Sequence, residues 1–191
     1  KLNDICKNVI SLMTAEEVYE NTVAWAKDYD EELYELFTKD PDFAKAILNI
    51  DRDVPKPRKD IISWSDVKGY VSYFYNSLFV NDAALPENIN KDDAIAVLDT
   101  YLRVFDVNDD KDTWFAKIKD ICEPLGFTPN VKEYKKNPDA FKGHVGDVST
   151  VIRIAVTGRT NTPDLHAILK ALGKDEVTVR LSKYAEALRI G

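Results

Sequence analysis

Residues 145–173 read VGDVSTVIRIAVTGRTNTPDLHAILKALG. In 145–156 the apolar side chains Val148, Val151, Ile152, Ala155 and Val156 recur at spacings of three and four. That spacing puts them on one side of a helix, although the β-branched content would also suit a strand. The end of the stretch, LHAILKALG, has the pattern of a short amphipathic helix with Gly173 just past its end. Between the two lies TGRTNTPDL (157–165), which carries a glycine, an arginine and four hydroxyl or amide side chains. Turn chemistry accounts for part of it. Gly158 is suited to end the first helix in a left-handed conformation. Thr162 is expected to N-cap a helix that begins at Pro163, with Asp164 in its first turn. Arg159, Thr160 and Asn161 are left without a structural task. A helix N-terminus with open amides, flanked by an arginine and an asparagine, suits a phosphate or a base edge.

Outward from this stretch, almost every periodic segment reads as helix. TAEE (14–17) is a capping box, and the helix behind it lines up Val18, Trp25 and Ala26. Asp40 and Pro41 open another helix as N-cap and first residue. The prolines of DRDVPKPRKD (51–60) make that basic segment a loop. SWSDVKGYVSYFYNSLF (63–79) is expected to be helical, capped by Ser63 or Ser65, with Val67, Tyr70, Val71, Phe74 and Leu78 as its apolar side. Such an aromatic stripe reads as core rather than as a base-stacking platform. Helices are expected over 90–105, opened by Asn90, over 112–127 until Pro124 and Gly126 stop it, and over about 176–188. Residues 129–147 mix turn signals with lysines. No segment alternates with a period of two, and no internal repeat is evident. The fold class is therefore all-α, a helical array of two subdomains divided at 1–108 and 109–191.

The chain has 191 residues, 45% of them hydrophobic and 31% charged, enough for a core and a soluble surface. Its apolar runs are far shorter than the roughly 18 residues of a membrane span, and no signal-peptide pattern opens it. It starts at Lys1, as expected for a piece of a longer protein. Two cysteines, Cys6 and Cys122, cannot build a disulfide framework and read as buried thiols of a cytoplasmic protein. The net charge of −7 argues against bulk nucleic-acid affinity, but it is unevenly spread. Residues 1–127 carry 15 basic and 26 acidic side chains, and residues 128–191 carry 11 and 7, a net of +4. A basic end on an acidic body suggests that the C-terminal part meets an anion.

Catalytic and metal chemistry find little support. DVNDDKDTW (106–114) places Asp106, Asn108 and Asp110 like a calcium loop, but Lys111 stands where the sharp turn needs glycine, and Lys117 where a bidentate glutamate belongs. Those acids are read as solvating a turn and capping the helix at 112–114. GHVG (143–146) is too short for a phosphate loop. His144 and His166 lack any zinc or triad motif around them. No catalytic residue and no metal site are assigned.

Residues 125–181 resemble the C-terminal anticodon-binding region of bacterial glutamyl-tRNA synthetases. The resemblance rests on Arg153, Ala155, Val156, Thr157, Gly158, Thr162, Pro163, Leu165, Leu172 and Gly173, and KPRKDIISWSDVKGYVSYFY (56–75) is similar to the family's preceding helical segment. The resemblance implies a class I aminoacyl-tRNA synthetase that charges tRNA with glutamate using ATP and magnesium. The family's upstream HIGH-like and KMSKS-like motifs are not found here. GHVG and RLSK (180–183) lie too close together and in the wrong region. It further implies that this chain alone binds tRNA(Glu), with tRNA(Gln) as a second candidate, holds no cofactor, makes no glutamyl-tRNA, and is a monomer away from membranes. Carried over by position, Arg153 matches the arginine that helps contact the first anticodon base, and Thr162, Pro163 and Leu165 match positions around the middle base. Arg159 and Asn161 are added from the chemistry of the turn. Arg58, with Lys59 second, is the candidate reader of the third base, and Asp60 in that register would put discrimination in doubt. The competing reading is a helical protein–protein interaction module.

Overall fold

The computed structural model describes residues 1–191, and its regular structure is helical; one isolated bridge joins Thr128 to His144. The chain divides into two compact units, Lys1–Phe79 and Val80–Gly191.

The first unit holds α1 (Leu2–Leu12), α2 (Ala15–Tyr29), α3 (Glu31–Lys39), α4 (Pro41–Leu48) and α5 (Asp66–Val71). Side-chain caps set the starts of α2, α3 and α4. The Thr14 hydroxyl accepts from the Glu17 N–H at 3.1 Å, and the Glu17 carboxylate accepts from the Thr14 N–H at 2.8 Å, the expected capping box. Asp30 and Asp40 accept from Leu33 and Phe43 N–H groups in the same way, with Pro41 at the head of α4. The helices bury Val18, Ala26, Leu33, Phe37, Ile47 and Leu48 against Val67, Val71 and Tyr73. The Arg52 guanidinium donates to the carbonyls of Leu48, Ile10 and Met13, closing helix ends that have no partner within their helices.

The expected helix over 63–79 is shorter. It is regular only in α5, passes through one 3₁₀ turn at Ser72–Phe74, and leaves helical geometry at Tyr75. Gly69 and the β-branched and aromatic residues after it are weak helix formers, and their rings take other work. Phe43 meets Tyr75 edge-on at 5.7 Å and Phe74 at 6.4 Å. The stripe is core, as expected. Neither Ser63 nor Ser65 caps the helix. The Asp66 carboxylate, a stronger acceptor, takes the N–H groups of Ile62 and Ser63 at 3.0 and 2.9 Å.

The second unit holds α6 (Lys91–Val104), α7 (Lys111–Cys122), α8 (Val131–Lys136), α9 (Val145–Thr157), α10 (Leu165–Leu172) and α11 (Lys174–Ile190). α9 is a helix, not a strand. Val148, Val151, Ile152, Ala155 and Val156 are all buried, as are Val145 on the same side and Ile154 on another. It packs on α6, α7 and α11, and α6 lies along α11. That packing moves the division between units to 79/80 from the expected 108/109. The buried face of α6, Ala94, Val97, Leu98 and Tyr101, belongs to the α9 core.

Asn90 and Asp110 cap α6 and α7, and Gly126 takes a left-handed φ of 87° after Pro124. Asp106 accepts from Asn108, so the calcium-like acids shape a turn and a helix start. The lysine-rich segment read as turns contains α8, capped by Asn130. Cys122 is buried and Cys6 half-buried. No helix is long and apolar enough to cross a membrane.

Candidate nucleic-acid interface

The polar turn is held at both ends. On its N-terminal side Gly158 has a φ of 70° and donates to the Ile154 carbonyl at 2.8 Å, ending α9 as expected. The Thr157 hydroxyl donates to the Arg153 carbonyl at 2.7 Å and accepts from the Arg159 N–H at 3.1 Å. On the C-terminal side Arg153 reaches from mid-α9 across the turn. Its Nη1 donates to the Thr162 hydroxyl and, at 2.9 Å, to the Pro163 carbonyl. The arginine carried over as a base reader is thus the clamp of the loop.

The helix after the turn starts differently from expectation. α10 begins at Leu165 with Asp164 as N-cap, the carboxylate accepting from the Ala167 N–H at 2.9 Å. Thr162 is not the cap, because its hydroxyl is engaged by Arg153 and donates to the Pro163 carbonyl. Asp164 is also met by Lys111 at 2.6 Å. The helix N-terminus therefore already holds a carboxylate of its own, which takes the Ala167 N–H.

Thr162, Pro163 and Leu165 form the floor of the turn. Thr162 is 8% exposed and Leu165 2%, and Pro163 is buried. Arg159 is half-buried, while Thr160 and Asn161 face solvent. Arg153, Arg159, Asn161, Thr162, Pro163 and Leu165 thus come together around one turn. Arg58 and Lys59 lie on the 51–60 loop of the first unit. Arg58 grips the Asp60 carboxylate with Nε at 2.7 Å and Nη2 at 3.3 Å, and Lys59 is exposed.

Two residues that hold the end of α9 went unread in the sequence, Asn81 and Arg180, and Thr157 entered only as a residue of the resemblance, with no bonding role. Asn81 lies in a loop without motif. Arg180 carries a usable signal, since a charged residue falls among Val177, Leu181 and Tyr184 on the buried side of α11.

The cap of α10 gives the site a dependence on acid. Burial pushes the Asp164 carboxyl up, but the bonds from Lys111 and the Ala167 N–H outweigh it and leave the group below the usual carboxylate range. A depressed carboxyl contributes stability that is fully present above its unfolded value, about 3.9, and lost as pH falls through the folded value. Asp164→Ala is expected to cost the second unit about 1 kcal/mol at neutral pH, the usual worth of an N-cap. The cost should shrink below about pH 4. Urea melts of both proteins from pH 7 to pH 2.5 check this, and a pH-independent difference would rule it out.

Residues 132–185, which contain the turn and both flanking helices, match the model of a family described as an anticodon binding domain. The chain is 41% identical over 188 residues to a glutamate–tRNA ligase of Clostridium perfringens (strain SM101 / Type A), covering 96% of this chain and 34% of that protein. It is 42% identical over 183 residues to a glutamate–tRNA ligase of Acetivibrio thermocellus, with the same coverage of each. The identity is 39% over 186 residues to that of Sorangium cellulosum (strain So ce56), covering 96% and 33%. The chain spans about a third of the length of these curated relatives.

Proposed function

The chain belongs to the glutamate–tRNA ligase family and carries its anticodon binding domain, and from that premise we propose that it reads the anticodon loop of tRNA(Glu). The observation that carries the reading is the turn at 158–164. It is fixed by Arg153 on one side and by the end of α9 on the other, and it offers Thr160 and Asn161 to solvent.

Single-stranded anticodon bases expose their Watson–Crick edges and can be splayed onto a protein surface. An asparagine amide offers a donor and an acceptor to such an edge, and an arginine beside it suits a phosphate or a guanine. The buried Thr162, Pro163 and Leu165 shape the surface under the middle base, so the polar contacts to that base fall to the turn's backbone and to Asn161. Arg153 sets the height of that surface beneath the first base. The basic balance of 128–191 supplies attraction for the backbone. Arg58, with Lys59 second, reads the third base in the first unit, and the two units act as two anticodon-binding subdomains.

In the whole protein this reading serves ATP-dependent attachment of glutamate to tRNA. No cluster of histidine, cysteine or carboxylate side chains in this chain is arranged to hold a metal. On this reading ATP and magnesium serve the catalytic part of the whole protein. The chain by itself binds tRNA as a monomer in the cytoplasm and makes no glutamyl-tRNA. On this reading the third anticodon base separates tRNA(Glu) from tRNA(Gln), so acceptance of the second is decided at Arg58 to Asp60.

Binding of the chain to a tRNA(Glu) anticodon stem-loop tests this. Affinity should fall steeply between low and physiological salt through counterion release. Arg159→Ala should weaken binding severalfold and reduce the salt slope by about one. Asn161→Ala should cost about 1 kcal/mol with little change in slope. Absence of binding at low salt would overturn the reading and favour a protein–protein interaction module.

A further inference from the structure

The end of α9 is closed by side chains from distant parts of the second unit. A helix leaves its last carbonyls without partners inside the helix; at the end of α9 the Ile154 carbonyl takes the Gly158 N–H, and outside side chains add to it. Here Asn81, from the loop before α6, donates through Nδ2 to the Ile154 carbonyl at 2.9 Å and lies 3.1 Å from the Ala155 carbonyl. Its Oδ1 accepts from the Ala83 N–H at 3.3 Å, which fixes the amide's orientation. Arg180, on α11, donates through Nη1 to the Val156 carbonyl at 2.7 Å and through Nε to Glu176 at 2.7 Å. Three consecutive carbonyls in the last turn of α9, those of Ile154, Ala155 and Val156, are thus addressed by side chains from outside the helix.

Arg180 is 3% exposed. A buried arginine that bonds a carboxylate and a carbonyl is a poor way to stabilise a core, since an apolar residue of similar volume commonly does as well. What it supplies is direction: the carbonyl it holds is two residues before the glycine that turns the chain toward Arg159 and Asn161. Asn81 also sits beside that glycine. Its Oδ1 is 3.4 Å from where a Cβ on Gly158 would be.

We propose that Asn81 and Arg180 are positioning residues for anticodon recognition. They hold the last turn of α9 so that residues 159–161 meet the bases in one geometry, without themselves touching RNA. The proposal rests on the anticodon reading above and adds the residues that preorganise it. Preorganised contacts lose discrimination, not only affinity, when their supports loosen.

The test uses the whole 191-residue chain as wild type, Asn81→Ala, Arg180→Met and Ile118→Val. Ile118 is a buried α7 residue, and its substitution is a mild core defect away from the turn. Each protein is measured against the tRNA(Glu) stem-loop and one changed at the middle base, and by amide exchange at Arg159 and its neighbours. The expected result is a loss of roughly five- to tenfold in the ratio of the two Kd values for Asn81→Ala and Arg180→Met, the scale of one lost hydrogen bond. Ile118→Val should keep the wild-type ratio. Exchange at 159–161 should quicken in the first two variants only. A uniform weakening toward both stem-loops, with the ratio kept, would overturn the proposal as a mere stability effect. If the wild type binds neither stem-loop, the anticodon reading fails, and the positioning of RNA-contacting residues falls with it. If the wild type discriminates and exchange at 159–161 does not change in either variant, the positioning role alone is overturned.

Discussion

Arg153→Met is expected to lower the unfolding free energy of the 80–191 unit by about 2–3 kcal/mol and to weaken stem-loop binding by more than about tenfold. The guanidinium is the one group that spans from mid-α9 to the far side of the turn, holding the Thr162 hydroxyl and the Pro163 carbonyl. Hydrogen bonds from a charged donor contribute about 1.5–3 kcal/mol each, but these share one nitrogen and do not add. Methionine keeps the aliphatic stem in place, so the loss reports the clamp rather than a cavity. The Thr162 hydroxyl retains its bond to the Pro163 carbonyl, which limits the damage to a loosened turn rather than an unfolded unit. Arg153→Lys keeps the charge and replaces the planar fork by a single ammonium. If charge alone drew the RNA, lysine would restore binding. If the clamp matters, lysine recovers little of it. Native-state hydrogen exchange at α9 amides and stem-loop titrations at fixed salt measure both quantities. A variant with wild-type exchange and wild-type affinity would show that the turn stands without Arg153.

The parts of this molecule that were legible in the sequence are those decided within a few residues. The Thr14 capping box, the Asp40–Pro41 start, the Asn90 cap and the left-handed glycines at 126 and 158 all depend on local geometry, and all are present. The helix over 63–79 was misjudged because its apolar spacing does fit a helix. What ends it is the pull of Phe43 on the rings of Phe74 and Tyr75, a contact from another helix. The compact units divide at 79/80 and not at 108/109 for the same kind of reason: the 90–105 pattern says that α6 is amphipathic, not which neighbour covers it. At the turn, both Thr162 and Asp164 are competent caps, with only a proline between them. The choice falls to Arg153, nine positions upstream, which takes the threonine and leaves the cap to the aspartate. The motif supplies Arg153, Thr162, Pro163 and Leu165, and the chemistry of the turn adds Arg159 and Asn161; all six lie around one turn. Their division into floor and exposed edge needed the packing of α9 and α10, and the two outside supports, Asn81 and Arg180, needed the tertiary fold.

The second large effect is expected at the third base. Arg58→Gln should reduce the preference between stem-loops that differ only there by about 1–3 kcal/mol, or about 5- to 150-fold. The structure gives this a geometric basis. The guanidinium grips Asp60 through two nitrogens, 2.7 and 3.3 Å away. Burial works against its charge, but the carboxylate's bond and charge outweigh that and hold the group protonated beyond its ordinary range. A two-point pair fixes the plane of the guanidinium as well as its position, and a base edge is read by a plane with fixed donors. On this reading Asp60 supports the reader instead of standing in its place, and the two substitutions should act differently. Arg58→Gln removes the charge and the planar fork of donors, and the preference with them. Asp60→Asn removes a negative charge near the RNA, so binding to every stem-loop should tighten at low salt, while the unfixed guanidinium discriminates less well. Lys59, exposed beside them, should contribute only salt-dependent attraction, and Lys59→Gln should leave the preference intact. Competition between the two stem-loops, run at two salt concentrations for all three variants, separates these outcomes. Loss of preference in Lys59→Gln with retention in Arg58→Gln would shift the reader by one residue. Retention in both would remove third-base discrimination from this loop, leaving the choice between tRNA(Glu) and tRNA(Gln) to contacts elsewhere.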